Sequence, residues 1–525
     1  MGGKNVTFWT YHKNTKTGVT YVYEAVSTWD KSKKQPRNKQ VCIGKLDPET
    51  GELMPNKRKS PTLNPVAPKK ATTATIQVYG PYLILNAITS ELDMEQRLAK
   101  HFPETYRQIL STVYFLVHRG IALYRFEHWS GVHKHPYDRI LTSQEISNLL
   151  LDQSEDARQS FFKDWQTIID EQEYLCFDIT SVSSYAKNNE YVEYGYNRDQ
   201  EGLPQINLAM LFGQQSVLPV YYRRLPGSIP DVKTLFNLLE TMNALGYQKL
   251  HLILDKGFYC EDNINGLYSG YHKFTIGVSC HLKWVQKIID EHRNQMELPD
   301  YYHKFGDESL FVTTTLYRWD TQRKRLYVHL YYNAHRAANS YDGFMGKLID
   351  CKQELETDNR IKANESFYNR YFIIKQTPAR GLSVKFNNEA IADFRNRYAG
   401  FFVLISNPFK EPVVTLNVYR NKDVVENCFD DLKNQLDMKR LRVHSSASMD
   451  TRLFLQFLAL IYISVLRKKM RCSKLLSGLS VKELLDSMES YVKIQYSGKH
   501  GCLYTVLTKR QRELLGALSV IAPSA

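Results

Sequence analysis

Three short β-type runs, followed by a helix and two more β-type runs, constrain the fold of this chain more than any other feature. The β-type runs are Tyr174 to Thr180, Gln205 to Phe212, Val217 to Arg224, Lys249 to Leu254 and Lys273 to Val278, and a helix is predicted over residues 231 to 245. Consecutive strands followed by helix and strand are typical of an α/β domain with a mixed sheet. We therefore predict such a domain from residue 173 onward.

The rest of the chain divides by composition into regions of different predicted structure. We expect a basic β-hairpin region at 1–53, a Pro/Lys-rich linker at 54–78 and a helical DNA-binding domain at 79–172. The α/β domain is placed at 173–299 and 395–471, with a β-rich insertion at 300–394 and a helical C-terminal segment, a candidate for dimerisation, at 472–525.

The balance of charge favours a polyanionic partner. Sixty-nine Lys and Arg residues against 55 Asp and Glu give a formal net charge of +14, which attracts nucleic acid or an anionic membrane surface. Charge alone leaves both partners open. With 43% hydrophobic and 24% charged residues the composition is that of a globular protein, which excludes the disordered and fibrous classes.

No segment of the sequence predicts export or membrane insertion. The N-terminus has no apolar signal-peptide core, and Val6 stands where N-myristoylation requires Ser or Thr. The most apolar run, Leu453 to Leu466, is 14 residues long and is too short to span a bilayer, so it predicts a buried helix. The 8 cysteines include no C-x-x-C pair, and they predict neither a disulfide framework nor a zinc site. We expect a cytoplasmic protein.

Two aspartates stand in positions that strands normally avoid. Asp178 lies within an apolar β-type run, and Asp255 directly ends another. An acid at a strand end often accepts hydrogen bonds from a turn, which is the structural explanation for either residue alone. Two carboxylates at neighbouring strand ends repel each other unless a hard cation lies between them, and such cations take oxygen ligands. The pair therefore indicates a metal site.

A third acid follows from helical geometry. At about 100° per residue, Tyr419, Lys422, Glu426 and Lys433 fall on one narrow stripe of a helix predicted over residues 421 to 437, with Tyr419 just before its first turn. An apolar face lies beside this stripe. A surface helix with one apolar and one charged face has the same pattern, so the stripe alone leaves a purely structural helix open.

The same residues carry a family resemblance. Tyr419-x2-Lys422-x3-Glu426-x6-Lys433 resembles the Y-x2-R-x3-E-x6-K pattern of bacterial insertion-sequence DDE transposases, in the large superfamily numbered four, with Lys422 in place of Arg. Asp255 to Phe258 matches the Asp-x-Gly-Phe context of the family's second acid. Asp178-Ile179-Thr180 is similar to the Asp-x-Thr context of the family's first acid. The resemblance covers residues 173 to about 470, including a loop at 225–231 and an insertion before Glu426.

The resemblance implies an RNase H-like fold and a cut-and-paste DNA transposase. It implies that Asp178, Asp255 and Glu426 hold two Mg²⁺ ions, for which Mn²⁺ can substitute, with Asp178 shared between them. It also implies that Tyr419, Lys422 and Lys433 contact DNA, that the enzyme acts as a homodimer on paired inverted-repeat ends, and that it works on the bacterial nucleoid. Lys in place of Arg keeps the charge of residue 422 but loses the bidentate fork.

Other residues give weaker indications. Lys439, Arg440 and Arg442 form a basic stretch after the Glu426 helix that could touch DNA or be a solvated turn. Five aromatic residues of the insertion could stack on an unpaired base or fill the core of a small sheet. These are Tyr317, Trp319, Tyr327, Tyr331 and Tyr332.

Two alternative functions remain open from the sequence. One is an RNase H-like nuclease that hydrolyses DNA without joining ends, which needs the same three acids. The other is a DNA-binding protein whose acids are structural or whose catalysis is lost.

Overall fold

The computed structural model folds into two units. It describes residues 6–30, 33, 35–56, 74–170, 172–186, 189–199, 201–320, 323–377, 381–395, 398–441, 443, 445–496 and 501–523. One unit comprises Met1–Thr75 with Ile494–Cys502, and the other comprises Ile76–Lys493 with Leu503–Ala525. We describe each unit by itself.

The smaller unit contains a four-stranded antiparallel sheet. Its strands, in spatial order, are β1 (Val6–Lys13), β2 (Thr20–Asp30), β3 (Gln35–Leu46) and β4 (Leu53–Pro55). The predicted β-hairpin corresponds to β2 and β3, which pair antiparallel, and β1 and β4 extend the sheet on both sides. Gly44 is required where β3 passes β4, because a Cβ there would lie 2.2 Å from the carbonyl oxygen of Met54. Of the predicted linker, residues 57–73 lie outside the described residues.

A layer of helices opens the larger unit, as the periodicity predicts. After β5 (Ala74–Val78) come α1 (Gly80–Glu91), α2 (Met94–His101), α3 (Tyr106–Arg119), α4 (Phe126–Val132), α5 (Ser143–Leu151) and α6 (Glu155–Trp165). Thr142 and Glu145 form a capping box at the start of α5, which satisfies two backbone N–H groups. The whole buried stretch from Ile109 to Val117 of α3 packs into the main core.

A mixed sheet forms the centre of the larger unit. Its first half is built from β6 (Tyr174–Ser184), β7 (Gln205–Gly213), β8 (Pro219–Pro226), α7 (Thr234–Leu245), β9 (His251–Leu254), α8 (Glu261–Ser269), β10 (Lys273–Val278) and α9 (Lys283–Met296). β6, β7 and β8 pair antiparallel, whereas β9 pairs in parallel with both β6 and β10. The predicted mixed α/β architecture is confirmed.

The segment between residues 300 and 394 is only partly β-structure. It contains β11 (Tyr302–Phe305), β12 (Glu308–Trp319), β13 (Lys324–Tyr332), α10 (Ala334–Glu356), α11 (Glu365–Tyr371), β14 (Phe372–Thr377), β15 (Gly381–Phe386) and α12 (Asn388–Arg395). The 23-residue α10 departs from the β-rich expectation. Its buried residues Phe344, Leu348, Cys351 and Leu355 recur at helical spacing and line a separate small core.

The first strands of this segment extend the central sheet. β13 pairs antiparallel with β16 (Phe401–Ser406), and β16 pairs with β10, so the strand order is β11-β12-β13-β16-β10-β9-β6-β7-β8. The strands β11, β12 and β13 therefore extend the core sheet, whereas β14 and β15 pair with each other in a separate two-stranded sheet.

The C-terminal part of the chain is mainly helical. It contains α13 (Pro412–Arg420), α14 (Asp423–Asp430), β17 (Arg440–Leu441), α15 (Ser446–Arg471), α16 (Val481–Asp486), β18 (Val492–Tyr496), β19 (Cys502–Tyr504) and α17 (Lys509–Ala517). Ser480 and Glu483 form a capping box at the start of α16. Of the apolar residues predicted to offer a dimer contact, Leu475 is exposed, whereas Leu476, Val481, Leu484 and Leu485 are buried within the chain.

Helix α15 is the central helix of the larger unit. At 26 residues it is longer than the predicted apolar run, and among the described residues it is the one helix long and apolar enough to cross a membrane. However, 94% of its most apolar window is buried inside the protein. Gln456 Nε2 donates to the carbonyl oxygen of Leu436, and the hydroxyls of Tyr462 and Thr89 hydrogen-bond within the core. These features are typical of a buried core helix.

Candidate active site

Strand pairing brings Asp178 and Asp255 side by side. Phe177 of β6 is paired in parallel with Leu254 of β9, and each aspartate is the next residue along its strand. Neighbouring parallel strands therefore present both carboxylates at the same level of the sheet. The sequence predicted that these two acids lie close together, and the pairing register of β6 and β9 places them side by side.

The two carboxylates have different electrostatic surroundings. Burial raises the pKa of Asp178 to about 6, although its Oδ1 accepts a hydrogen bond of 2.8 Å from the backbone N–H of Ile179. Burial also acts to raise the pKa of Asp255, but the Lys422 ammonium and the Tyr419 hydroxyl outweigh it and hold that pKa below its usual value. Tyr419 donates to Asp255 Oδ1 at 2.9 Å. The negative charge of Asp255 is therefore balanced by Lys422 and Tyr419, whereas burial destabilises the negative charge of Asp178.

The third acid reaches the pair through Lys422. The Lys422 ammonium lies 3.4 Å from Asp255 Oδ1 and 3.3 Å from Glu426 Oε1, so it bridges two carboxylates. Glu426 lies on the exposed side of α14. Asp178, Asp255 and Lys422 line a narrow cleft together with Cys176, Phe177, Ile253 and Val425, and Glu426 lies next to it through its contact with Lys422.

Tyr419 precedes the helix that carries Glu426, as predicted, but it lies on a helix of its own instead of on an extension of the same one. Tyr419 lies on α13, the chain turns at Lys422, and Glu426 lies on α14. A π-helical turn, Asp431–Gln435, then follows. Tyr419 and Lys422 still converge on Asp255 because the short turn between the two helices points both side chains toward the end of β9.

Lys433 does not join the carboxylates directly. The π-helical turn places its ammonium 2.8 and 2.7 Å from the two carboxylate oxygens of Asp199, in the loop between β6 and β7. Arg440 likewise pairs with Glu201 of that loop, at 3.2 Å. Lys439 is exposed, and Arg442 lies outside the described residues.

Two residues that the sequence did not single out lie beside the carboxylates. The Arg198 guanidinium pairs with Asp231 at 2.6 Å, and its positive charge acts on Asp178. Asp231 ends the loop at 225–231 noted in the sequence, but Arg198 stands in a polar stretch without periodicity. The sequence offers no signal for this pair because it joins two loops that meet only in the fold.

The aromatic residues of the 300–394 segment pack mainly against one another and their neighbours. Tyr331 is fully buried and stacks on Phe402, and Trp319 is buried and donates to Asn265 Oδ1. Tyr317 packs against Trp284, with ring centroids 5.1 Å apart. The core-filling alternative therefore describes Trp319 and Tyr331.

A second group of potential ligands lies among the helices. His118, His133 and Glu489 offer nitrogen and oxygen atoms within 4.8 Å of one another. Trp129 Nε1 donates to His118 Nδ1, so neutral His118 carries its proton on Nε2, the atom that faces Glu489. That nitrogen lacks the lone pair a metal requires, and we assign no ion to this cluster.

A family model described as Transposase DDE domain matches residues 167–462, more than half of the chain. The chain belongs to this transposase family. The matched residues contain Asp178, Asp255 and Glu426 together with the bridging Lys422. Members of this DDE transposase family are DNA-cleaving and strand-transferring enzymes that use divalent metal ions.

Two further comparisons complete the picture of similarity. The transposase is similar to a solved structure described as "Cryo-EM structure of piggyBac transposase synaptic complex with hairpin DNA", with 9% sequence identity, a TM-score of 0.39, and coverage of 79% of this chain and 80% of that one. No curated protein sequence matches this transposase.

The donor set of the cleft fits divalent metal ions. Three carboxylates supply only oxygen ligands, which Mg²⁺ prefers. Asp178 has no ion pair among those described, and burial disfavours its charge. A cation beside it would remove that penalty, because an opposite charge favours the ionised form.

Proposed function

We propose that this transposase cuts DNA at the ends of a mobile element and joins those ends to target DNA, with Asp178, Asp255 and Glu426 as its metal-holding residues. The observation that carries the proposal is the register of β6 and β9, which sets Asp178 and Asp255 side by side. Glu426 joins them through the Lys422 ammonium. The fold that best accounts for this arrangement is an RNase H-like core.

The chemistry of the proposal follows from the charges of the cleft. Two Mg²⁺ ions, when bound, supply activation of water or a DNA 3′-hydroxyl and stabilisation of the leaving oxygen in an in-line displacement at phosphorus. Asp178, Asp255 and Glu426 would hold these ions, with Asp178 and Asp255 presented side by side by the β6–β9 register. Tyr419 fixes the orientation of Asp255 through its hydrogen bond.

Lys422 has two tasks in this proposal. Its ammonium reduces the repulsion between Asp255 and Glu426, and its charge attracts a DNA phosphate to the cleft. Compared with Arg, Lys offers a point charge without a planar fork, which suits a position between two carboxylates.

Lys422→Gln is expected to lower the single-turnover rate of DNA cleavage by about 10²-fold, as the loss of one charge-stabilising donor does in other enzymes. Lys422→Arg should retain most of the rate because the charge remains. Cleavage of labelled plasmid is the measurement, and Lys468→Gln is the matched control, since Lys468 binds the carbonyl oxygens of Gln215 and Ser216 instead. Equal rates for Lys422→Gln and the parent would exclude Lys422 from the reaction.

DNA binding by this transposase is expected to weaken steeply with salt. The net charge of +14 should displace many counterions from the duplex, at about 0.9 per phosphate contacted. We expect a slope of about −4 or steeper when the logarithm of the association constant is plotted against the logarithm of salt concentration. Fluorescence anisotropy with a labelled duplex gives this slope, and a value near zero would contradict an electrostatic DNA interface.

The partner and assembly follow as further parts of the proposal. The DNA is double-stranded, comprising terminal inverted repeats and a target, and the protein works in the bacterial cytoplasm at the nucleoid. A homodimer pairs two ends, as strand transfer of an excised element requires. Leu476, Val481, Leu484 and Leu485 are buried within the chain, so of these predicted C-terminal contact residues Leu475 is the one that is exposed for a dimer contact.

One experiment separates the three candidate functions. A supercoiled plasmid carrying the DNA that flanks the gene is incubated with the purified protein and Mg²⁺. Joined products support transposition, nicked or linear products without joining support the nuclease alternative, and retention without cleavage supports a DNA-binding protein. Chelation with EDTA should stop the first two outcomes and leave the third unchanged.

A further inference from the structure

The loop between β6 and β7 is fixed against the candidate active site at several points. The backbone N–H of Arg198 donates to Ser181 Oγ at 3.4 Å, and Asn197 Nδ2 donates to Ser183 Oγ at 3.2 Å. Both serines lie on β6, a few residues after Asp178. Gly195 allows the loop to approach the 225–231 loop, because a Cβ there would lie 2.0 Å from the carbonyl oxygen of Gly227. The position of Arg198 is therefore set by β6 itself.

The guanidinium of Arg198 is held by an aspartate that adjoins the turn after the second acid. Its NH2 group pairs with Asp231 Oδ2 at 2.6 Å. The same oxygen lies 3.6 Å from the place where a Cβ on Gly257 would stand. The pair thus adjoins the Asp255-Lys256-Gly257 turn, and the guanidinium is about one quarter exposed, with 26% of the side chain accessible.

The charges around Asp178 come from two sides. Lys422 and Arg198 both act on this carboxylate as positive charges. Lys422 is engaged by Asp255 and Glu426, whereas Asp231 takes one of the five N–H donors of Arg198. Arg198 therefore keeps the planar donor geometry that binds a phosphate through two oxygens.

We propose that Arg198 contacts the phosphate of the DNA bond that is cut, and that Asp231 is the positioning residue that aims its guanidinium. The proposal rests on the DNA-cleaving function proposed above. Cations held by the three acids would lie on the side of the reacting phosphate that faces those acids. An arginine beside them can donate to the remaining phosphate oxygens and stabilise the charge that develops on them.

The test uses full-length protein and a labelled duplex containing the DNA that flanks the gene. Arg198→Gln should lower the single-turnover cleavage rate by about 10²-fold or more, and should reduce the magnitude of the salt slope of binding by about 0.9, equivalent to one phosphate contact. Arg198→Lys should keep the parent slope, because the charge remains, while cleaving more slowly than the parent. A purely structural arginine would leave the slope unchanged in every variant.

Asp231 is tested through its dependence on Arg198. Asp231→Asn should slow cleavage with the parent salt slope, and the double variant with Arg198→Gln should cleave no more slowly than Arg198→Gln alone. Additive losses would overturn the positioning role of Asp231.

Arg223→Gln is the matched control for Arg198→Gln. Arg223 is also partly buried, and its guanidinium binds the carbonyl oxygen of Asn237 and the hydroxyl of Thr241. The control should keep both the salt slope and the cleavage rate. Parent-like cleavage and slope in Arg198→Gln would overturn the proposal for Arg198, while loss of cleavage in Asp178→Asn would still support the proposed function. Full cleavage in Asp178→Asn would instead refute the function itself.

Discussion

Asp178→Asn, Asp255→Asn and Glu426→Gln are each expected to lower DNA cleavage by about 10³-fold or more, an effect at least as large as the loss of a key charge-stabilising group in other enzymes. Each substitution keeps the shape of the side chain and removes one anionic ligand, so the cations of the cleft lose a partner. Affinity for DNA should remain close to that of the parent, because these acids repel phosphates and so do not contribute to DNA binding. Cleavage of labelled plasmid and fluorescence anisotropy measure the two quantities separately.

Asp423→Asn is the matched control for the three acids. Asp423 is exposed and begins the same helix, α14, that carries Glu426, but it does not line the cleft. The control should cleave at the parent rate. If one of the three variants also cleaved at the parent rate, that residue would be removed from the candidate active site.

Arg467→Met is expected to destabilise the protein by roughly 2 kcal/mol, less than the roughly 3 to 5 kcal/mol usual for a fully buried ion pair, because Arg467 itself is 33% exposed. Asp431 is the first residue of the π-helical turn after the Glu426 helix, and its side chain is only 4% exposed. Arg467 of α15 is its cationic partner. Methionine fills a similar volume, so the loss reports an uncompensated buried charge. Urea unfolding followed by circular dichroism is the measurement.

The Asp431→Asn substitution is the test of that cause. Added to Arg467→Met, it should restore most of the lost stability, because the uncompensated charge disappears. Arg318→Met, at an exposed position on β12, should change stability by less than about 0.5 kcal/mol. An Arg467→Met variant as stable as the parent would show that the ion pair contributes nothing net.

The same pair predicts a pH dependence. Burial raises the pKa of Asp431 to about 6, against the opposing charge of Arg467. Because the pKa is higher in the folded state, the folded protein binds this proton more tightly than the unfolded chain does. The free energy of unfolding that comes from this proton is therefore lost as the pH rises through about 6. The stability of the parent should therefore fall relative to Asp431→Asn as the pH rises from about 4, near the ordinary pKa of 3.8, to just above 6. A constant difference over this range would contradict the raised pKa.

Local sequence patterns determined the strands, the helices and the first two acids of this protein. The runs ending near Thr180 and Leu254 became β6 and β9 because apolar β-type residues favour a buried sheet. Asp178 and Asp255 were noticeable because a carboxylate at such a position requires a neighbour that balances its charge. The conclusion that they lie together needed only the expectation that these strands share one sheet.

Only the tertiary structure decided which cations face which acids. Lys433 pairs with Asp199, and Arg198 pairs with Asp231, because segments that are distant in sequence meet in the fold. The helical wheel did not reveal the turn between α13 and α14, because one continuous helix and two helices joined by a turn have the same apolar spacing over so few residues. Strand and helix identity depends on residues a few positions apart, whereas ion-pair partners depend on how the whole chain packs.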